Sequence, residues 1–108
     1  MLQIEKTDKF LTMIGFAKRA GKIIYGYDTL RKSKSVRLLA VSDTASQNLL
    51  SDMMCLAVNQ GLPIVTAPKL EEAIGNNVKA LGITDENMAR AVVDYVTRGA
   101  TKYKIKLG

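Results

Sequence analysis

Basic side chains cluster with glycines near the start of the chain, in a pattern suited to binding phosphate. Residues 18–32 contain Lys18, Arg19, Gly21, Lys22, Gly26, Arg31 and Lys32. Gly26 and Asp28 mark the start of a predicted short helix, whose first turn presents unpaired backbone N–H groups and the positive end of the helix dipole. A glycine there lets a phosphate approach the backbone closely. The segment therefore favours a polyanion as ligand, and nucleic acid before a small-molecule substrate.

The positive charge of the chain is concentrated at its two ends. Residues 1–37 hold nine Lys/Arg against three Asp/Glu, residues 38–98 hold four against seven, and the last ten hold three against none, within a net charge of +6. Phosphate contacts need clustered cations, whereas solubility needs only scattered ones. The distribution predicts a surface that faces a polyanion, and a merely basic surface is the alternative.

Several kinds of catalytic chemistry are excluded by composition. The chain has no histidine and one cysteine, Cys55, which excludes a disulfide framework, a zinc site and His-dependent catalysis. Cys55 lies among apolar residues and is expected to be buried. The acidic pairs Glu71/Glu72 and Asp85/Glu86 fall in first turns of predicted helices, where adjacent side chains point about 100° apart and do not converge on one substrate. We therefore expect a protein that is not an enzyme and that holds no metal.

Hydrophobic patterning predicts alternating helices and strands that would position the basic segment. Short apolar runs predict four strands, at about residues 23–25, 36–41, 62–65 and 78–83. Amphipathic spacing predicts five helices around them, at about residues 8–20, 26–33, 44–60, 68–74 and 84–98. This alternation indicates an α/β fold with a central sheet and helices on both faces. Residues 101–106 alternate basic and apolar side chains, so this tail is either an edge strand or a mobile basic arm.

Capping residues mark several helix ends. Gly21 and Gly61 follow the first and third helices, where a left-handed glycine commonly ends a helix, and Pro63 lies shortly beyond the latter. Thr44 and Gln47 have the spacing of a capping box at the start of the third helix.

Chain length and hydropathy indicate how many domains the protein has and where in the cell it is expected. The 108 residues, 11.8 kDa in all, are about the size of one domain, so we expect a single domain over residues 1–108 with a short basic tail from about residue 99. No apolar run approaches the roughly 18 residues that a membrane span needs, and the first residues, MLQIEK, lack the apolar stretch of a signal peptide. A cytoplasmic protein is expected.

Four motifs occur in order along residues 8–96. They are AKRAGKI at residues 17–23 followed by Gly26 and Lys32, VSDTAS at 41–46, LPI at 62–64 and GITD at 82–85. Together they resemble the archaeal and eukaryotic ribosomal proteins of the L-seven-Ae and L-thirty-e superfamily, and most closely its short bacterial members of the YlxQ type. The resemblance implies a three-layer α-β-α sandwich with a four-stranded mixed β-sheet, no cofactor and no catalytic activity. It also implies binding to kink-turns, which are RNA bends built on tandem sheared G·A pairs.

The resemblance further implies where such an RNA would bind. In the family the site comprises a Gly-x-Asn-Glu-x-x-Lys motif at the start of the second helix and an apolar-lined loop before the fourth strand. Gly26 and Lys32 match the motif, whereas Asp28 replaces its Asn and Thr29 its Glu. An ionised Asp only accepts hydrogen bonds and repels phosphates, and Thr cannot be a charged acceptor for a guanine amino group. We therefore expect this chain to retain the phosphate contacts of the family but to recognise the bases less specifically.

The candidate RNA-binding residues follow from this motif and from the charges around it. They are Lys22, Gly26, Tyr27, Asp28, Thr29, Arg31 and Lys32, with Asn77 and Val78 in the loop. For Asp28 a helix N-cap is the alternative role, and for Asn76 and Asn77 a plain turn.

These observations predict a non-enzymatic RNA-binding protein that recognises a kink-turn or a similarly bent ribosomal or regulatory RNA, mainly by shape and phosphate contacts. Structured RNA is the expected partner, with association with the ribosome as one setting. Neither DNA nor a membrane is expected as a partner, and a monomer is expected. The alternative is a protein-interaction module that keeps the fold and has weakened or lost kink-turn recognition.

Overall fold

Helices and strands alternate along the chain in the computed structural model, which describes residues 2–4, 8–68, 70–75, 78–97 and 101–104. The strands are β1 (Leu2–Ile4), β2 (Ile23–Tyr25), β3 (Leu38–Ser42), β4 (Ile64–Ala67), β5 (Ala80–Ile83) and β6 (Thr101–Lys104). The helices are α1 (Asp8–Arg19), α2 (Tyr27–Leu30), α3 (Gln47–Gln60), α4 (Leu70–Ile74) and α5 (Glu86–Tyr95).

The described strands form one mixed sheet in the order β2-β5-β3-β4-β1-β6. β3 and β1 run parallel to β4, whereas β5 is antiparallel to both β2 and β3, and β6 is antiparallel to β1. The four strands predicted from the sequence are β2 to β5, and they form the mixed sheet that was expected. Two short terminal strands, β1 and β6, extend this sheet to six. Residues 101–104 therefore form an edge strand, which is one of the two alternatives for the tail.

Helices cover both faces of the sheet, which confirms the predicted three-layer arrangement. On one face α1, α4 and α5 bury apolar side chains that include Phe10, Leu70 and Val92. On the other face α2 and α3 bury Leu30 and Met53. β3, β4 and β5 are buried along their whole length, because successive side chains of a strand point to opposite faces and both faces are covered.

Gly21 ends α1 as predicted, with a φ of 71°. Its N–H donates to the Lys18 carbonyl at 3.0 Å, and the next N–H, that of Lys22, donates to the Ala17 carbonyl at 2.9 Å. This pair of bonds is a Schellman motif, which satisfies carbonyls that would otherwise be left free at a helix end. Gly61, with a φ of 65°, ends α3 in the same way, and Leu62 donates to the Ala57 carbonyl at 2.9 Å.

The capping box predicted from Thr44 to Gln47 is wrong. Ser46 is the N-cap of α3, and its side-chain oxygen accepts a hydrogen bond from the Leu49 N–H at 3.1 Å. The Thr44 hydroxyl instead donates to Glu71 at 2.6 Å. The Thr44 hydroxyl therefore bonds to a distant residue on α4 rather than capping α3 as the local spacing had predicted.

The expected burial of Cys55 is also wrong, because this side chain is exposed. Met53, Leu56 and Ala57 are the buried residues of α3. Cys55 is two positions beyond Met53, which rotates it by about 200° around the helix and turns it to solvent. The sequence does not show which side of α3 is buried, because its outer side also carries apolar residues, among them the exposed Met54 and Val58.

Among the helices that the structure describes, none is both long enough and apolar enough to cross a membrane.

Candidate nucleic-acid interface

Gly26 anchors the start of α2 against the sheet. Its N–H donates to the Ala80 carbonyl at 3.0 Å, and its carbonyl accepts the N–H of Leu30 at 3.0 Å. Its φ of 87° and ψ of 143° lie in a region of backbone conformation that glycine alone adopts readily. The conformation turns the chain sharply from β2 into α2, so the helix starts beside the first residue of β5.

Asp28 is not the N-cap of α2, contrary to the alternative role considered for it. Gly26 is the N-cap, and among the residues that the structure describes no side chain caps this helix. Asp28 lies inside the first turn, with a side chain that is 88% exposed. Its carboxylate lies 3.7 Å from the guanidinium Nε of Arg31, one turn further along. The helix begins beside Gly26, as the pattern predicted, and Gly26 occupies the N-cap position that was considered for Asp28.

The inner side of α2 holds the helix on the sheet and leaves the outer side free. Leu30 is buried and Tyr27 is half-buried in the core that α2 shares with α3. Thr29, Arg31 and Lys32 are exposed. With Asp28, four of the candidate residues therefore present their side chains to solvent on one short segment.

Gly82 explains how α2 approaches the sheet so closely. A Cβ atom at this position of β5 would lie 2.6 Å from Cδ2 of Leu30 and 2.8 Å from Cγ1 of Val36. Such distances are shorter than ordinary contacts between carbon atoms. The absent side chain of Gly82 thus makes room for Leu30 and Val36, which fix α2 and the segment after it.

Lys22 lies at the opposite end of β2 from Gly26. Its carbonyl accepts the Thr84 N–H at 2.9 Å, beyond the last residue of β5. Gly26 is four positions further along the chain, which corresponds to roughly 13 Å along a strand. Arg37, just before β3, lies at the Lys22 end, because its N–H donates to the Ile83 carbonyl at 2.8 Å. The structure therefore places Lys22 near Arg37 and not beside the start of α2.

The loop before β5 meets the start of α2 from the other side. Asn77 lies outside the described residues. Val78 is half-buried and packs against the core of α1, α4 and α5. Lys79 follows, and its side-chain Nζ donates to the Thr44 carbonyl at 3.3 Å. Lys79 directly precedes Ala80, whose carbonyl accepts the hydrogen bond from Gly26. The loop after β3 and the start of α2 therefore both adjoin this end of β5.

A hydrogen-bond network that the sequence did not reveal supports this end of the sheet. Ser42 and Thr44 donate their hydroxyl hydrogens to the two carboxylate oxygens of Glu71, each at 2.6 Å. These bonds, with a smaller contribution from the charge of Lys79, lower the pKa of the Glu71 carboxyl below its ordinary value. The network connects β3 to α4 across a chain separation of 29 residues between Ser42 and Glu71. No local spacing signals such a contact.

Two cations at the end of α1 already have partners within the protein. The Lys18 Nζ donates to the carbonyl of Ile74 at 2.5 Å, at the last residue of α4. The Arg19 guanidinium lies 4.8 Å from the centre of the exposed Phe16 ring. Both side chains therefore contribute charge, but Lys18 is committed to holding α1 against α4.

The exposed cations that follow are less constrained. Lys22, Arg31, Lys32, Lys34 and Arg37 are all exposed. Within the part of the chain that the structure describes, Arg31 is the member of this group that forms an ion pair with a carboxylate. We refer to these five residues as the basic surface. Its free charges are available to phosphate without first breaking an ion pair.

Comparison with known proteins shows similarity in structure only. No protein-family model matches the chain, and no curated protein does. Its structure is similar to that of a protein of unknown function from Bacillus halodurans, with a TM-score of 0.76, 21% identity, and coverage of 82% of this chain and 97% of that one. It is also similar to a 15.5 kD RNA-binding protein of Giardia lamblia, with a TM-score of 0.68, 14% identity, and coverage of 83% and 86%. The chain therefore has the fold of these two proteins.

Proposed function

We propose that this protein binds structured RNA through the basic surface and the start of α2. The observation that carries the proposal is the group of exposed cations between residues 22 and 37, four of which form no ion pair among the described residues. Clustered lysines and arginines of this kind suit a phosphate backbone. The shared fold with an RNA-binding protein of Giardia lamblia supports RNA as the polyanion.

A kink-turn or a similarly bent RNA is the proposed target. Support for this finer statement comes from Gly26 and Lys32, which keep their places in the family-like motif, and from the loop at Val78, which adjoins the strand to which Gly26 is bonded. Asp28 and Thr29 bring an acceptor and a short hydroxyl where the motif has an amide and a carboxylate. The RNA is therefore recognised more by its bend and phosphates than by its G·A pairs. The protein acts by binding and not by catalysis.

A gel-shift series tests the target. The probes are a kink-turn RNA, the same RNA with its G·A pairs disrupted, and an unrelated hairpin, each at physiological salt. The proposal expects all three to bind, with the intact kink-turn bound most tightly. Equal affinity for the three would contradict kink-turn recognition, and binding to none would contradict RNA binding.

Charge variants test the surface. Lys32→Ala is expected to weaken binding to every RNA and to reduce the slope of affinity against salt by about 0.9, the value for one lost phosphate contact. Lys9→Ala is the matched control, because it removes the same charge from the far end of α1, where Lys9 lies over the Tyr95 ring. An equal effect of the two variants would indicate a response to net charge alone.

A protein-interaction role is the second candidate function, and the Asp28–Arg31 pair is the observation that favours it, since it reduces the positive charge of α2. An RNA-free pull-down that recovers a stable protein partner would support this role. A second result would also be needed, namely that reversing the charge of Lys22 and Lys32 leaves RNA association unchanged.

A further inference from the structure

A cleft lies at the end of the sheet where β3 and β4 begin, away from the start of α2. It has a volume of about 250 Å³ and is lined by Arg37, Pro63, Glu86, Ala89, Arg90 and Val93. Arg37 directly precedes β3, Pro63 directly precedes β4, and the other four residues belong to α5. β5 is antiparallel to β3, so its last residue lies beside Arg37 while its first lies beside Gly26. The cleft and the start of α2 are thus at opposite ends of β5.

The cleft combines two guanidinium groups with an apolar wall. Arg37 is exposed and has no ion pair among the residues that the structure describes. Arg90 lies 3.6 Å from Glu86, but both side chains are about 70% exposed. Exposed pairs of this i,i+4 type contribute little to stability, so Arg90 can exchange its partner at little cost. Pro63, Ala89 and Val93 supply the apolar part.

This chemistry matches one nucleotide of a single strand. A planar guanidinium stacks on an unpaired base and also binds phosphate, and an apolar wall accepts the other face of a base. Small-molecule sites commonly occupy roughly 300–1,000 Å³, so a cleft of about 250 Å³ suits a single base better than a whole cofactor. An acidic peptide would use the two arginines but has no flat group for the wall.

The basic surface continues into the cleft. Lys22 and Arg37 lie on either side of the end of β5, because β2 and β3 are its two neighbours in the sheet. Adjacent strands are about 4.8 Å apart, so the backbones of Lys22 and Arg37 are roughly 10 Å apart. A strand of RNA that leaves the basic surface would meet the cleft next.

We infer that the cleft at Arg37 binds one unstacked nucleotide of a single-stranded segment that flanks the structured RNA. The inference rests on the proposed RNA binding, but not on kink-turn recognition. Arg37 stacks on the base or pairs with its phosphate, and Arg90 supplies the second guanidinium. The cleft adds a base-stacking contact, which requires an unpaired nucleotide and which a fully paired RNA therefore cannot make.

Fluorescence anisotropy with a labelled oligo(U) RNA, and with a kink-turn RNA carrying or lacking an oligo(U) extension, tests the inference on the full chain. Arg37→Ala is expected to weaken oligo(U) binding about tenfold, within the range for loss of one stacked base. It should weaken binding of the extended kink-turn by a clearly larger factor than binding of the unextended RNA, because the unextended RNA loses one phosphate contact whereas the extended RNA also loses a stacked base. Arg37→Lys keeps the charge but not the planar group and should restore only part of the loss. Lys9→Ala is the control for net charge.

The outcomes separate this inference from the proposed function. Oligo(U) binding that is unchanged by Arg37→Ala overturns the inference, even if the kink-turn is bound normally. Arg37-dependent oligo(U) binding without preference for a kink-turn supports the inference and contradicts only the proposed target. Displacement of oligo(U) by an oligoglutamate peptide at equal concentration would mark the cleft as a site for acidic protein segments and would also overturn it.

Discussion

Asp28 and Arg31 form an exposed ion pair one turn apart on α2, with 3.7 Å between the carboxylate Oδ1 and the guanidinium Nε. The pair places a negative charge in the first turn of α2, within the segment that we propose to contact phosphate. The pair also partly neutralises Arg31, which belongs to the basic surface. This relationship makes Asp28 the residue whose charge most directly opposes the proposed function.

Asp28→Asn should therefore strengthen RNA binding. Removing a like charge about 4 Å from a phosphate in a watery setting is worth about 1 kcal/mol, which is about fivefold in affinity. The gain should be larger at low salt, because mobile ions screen exposed charges. Gel shifts at two salt concentrations measure it. Asp94→Asn, which removes the same charge from an exposed position on α5, should produce less than half of this gain. Unchanged affinity in Asp28→Asn would indicate that phosphate stays away from α2.

Gly26→Ala should reduce both stability and RNA affinity. A Cβ atom added there would have no heavy atom of another described segment within 4 Å, so the cost comes from the φ of 87°. Residues held in such regions cost about 1–3 kcal/mol, and the chain can relieve the strain by displacing the start of α2. Thermal unfolding and gel shifts measure the two effects. Gly61→Ala, at a left-handed position after α3, should cost stability but leave RNA affinity unchanged.

Gly82→Ala should destabilise the fold through a steric clash. The added carbon would lie within 3 Å of Leu30 and Val36, which are both buried. Overpacking of this kind costs about 1–3 kcal/mol, and here it should also loosen α2. Urea unfolding measures the loss, and hydrogen exchange of the Leu30 amide reports on α2. In Gly15→Ala, where the nearest atom would be 3.9 Å away, the same change inside α1 should stabilise the protein slightly. Equal stabilities for the two variants would contradict the close approach of α2.

Glu71→Gln should weaken the fold at neutral pH and remove part of its sensitivity to acid. The hydrogen bonds from Ser42 and Thr44 lower the pKa of the Glu71 carboxyl in the folded state below its ordinary value of 4.5. The stabilisation is complete above the unfolded pKa and is lost as pH falls through the lower folded pKa. Loss of the charged acceptor should cost about 1 kcal/mol at pH 7.

The measurement for Glu71 is urea unfolding as a function of pH. The free energy of unfolding of the wild-type protein should fall more steeply below about pH 4.5 than that of Glu71→Gln. Glu72→Gln is the matched control, because it alters the neighbouring carboxylate, which is exposed on α4. Parallel curves for the wild type and Glu71→Gln would show that the network does not depend on the carboxylate charge.

Local patterns in the sequence predicted the main elements well. The four strands β2 to β5, the helices on both faces and the glycine ends of α1 and α3 all follow from hydrophobic period and capping residues. These features depend on neighbours a few residues apart, which is the range over which a sequence pattern acts. β1 was not predicted, because its place in the sheet depends on pairing with β4, which joins positions about 63 residues apart.

Residue types and spacing also determined where the cations lie along the chain and predicted that Gly26 would open a helix. Only the tertiary structure decided which of these residues meet. It placed Lys22 and Arg37 on either side of the end of β5, because β2 and β3 are the two neighbours of this strand. It placed Gly26 at the opposite end, because β2 lies between Lys22 and Gly26. It also paired Glu71 with Ser42 and Thr44, and it set Leu30 against Gly82. Such contacts depend on sheet order and packing between distant segments, for which the local sequence carries no signal.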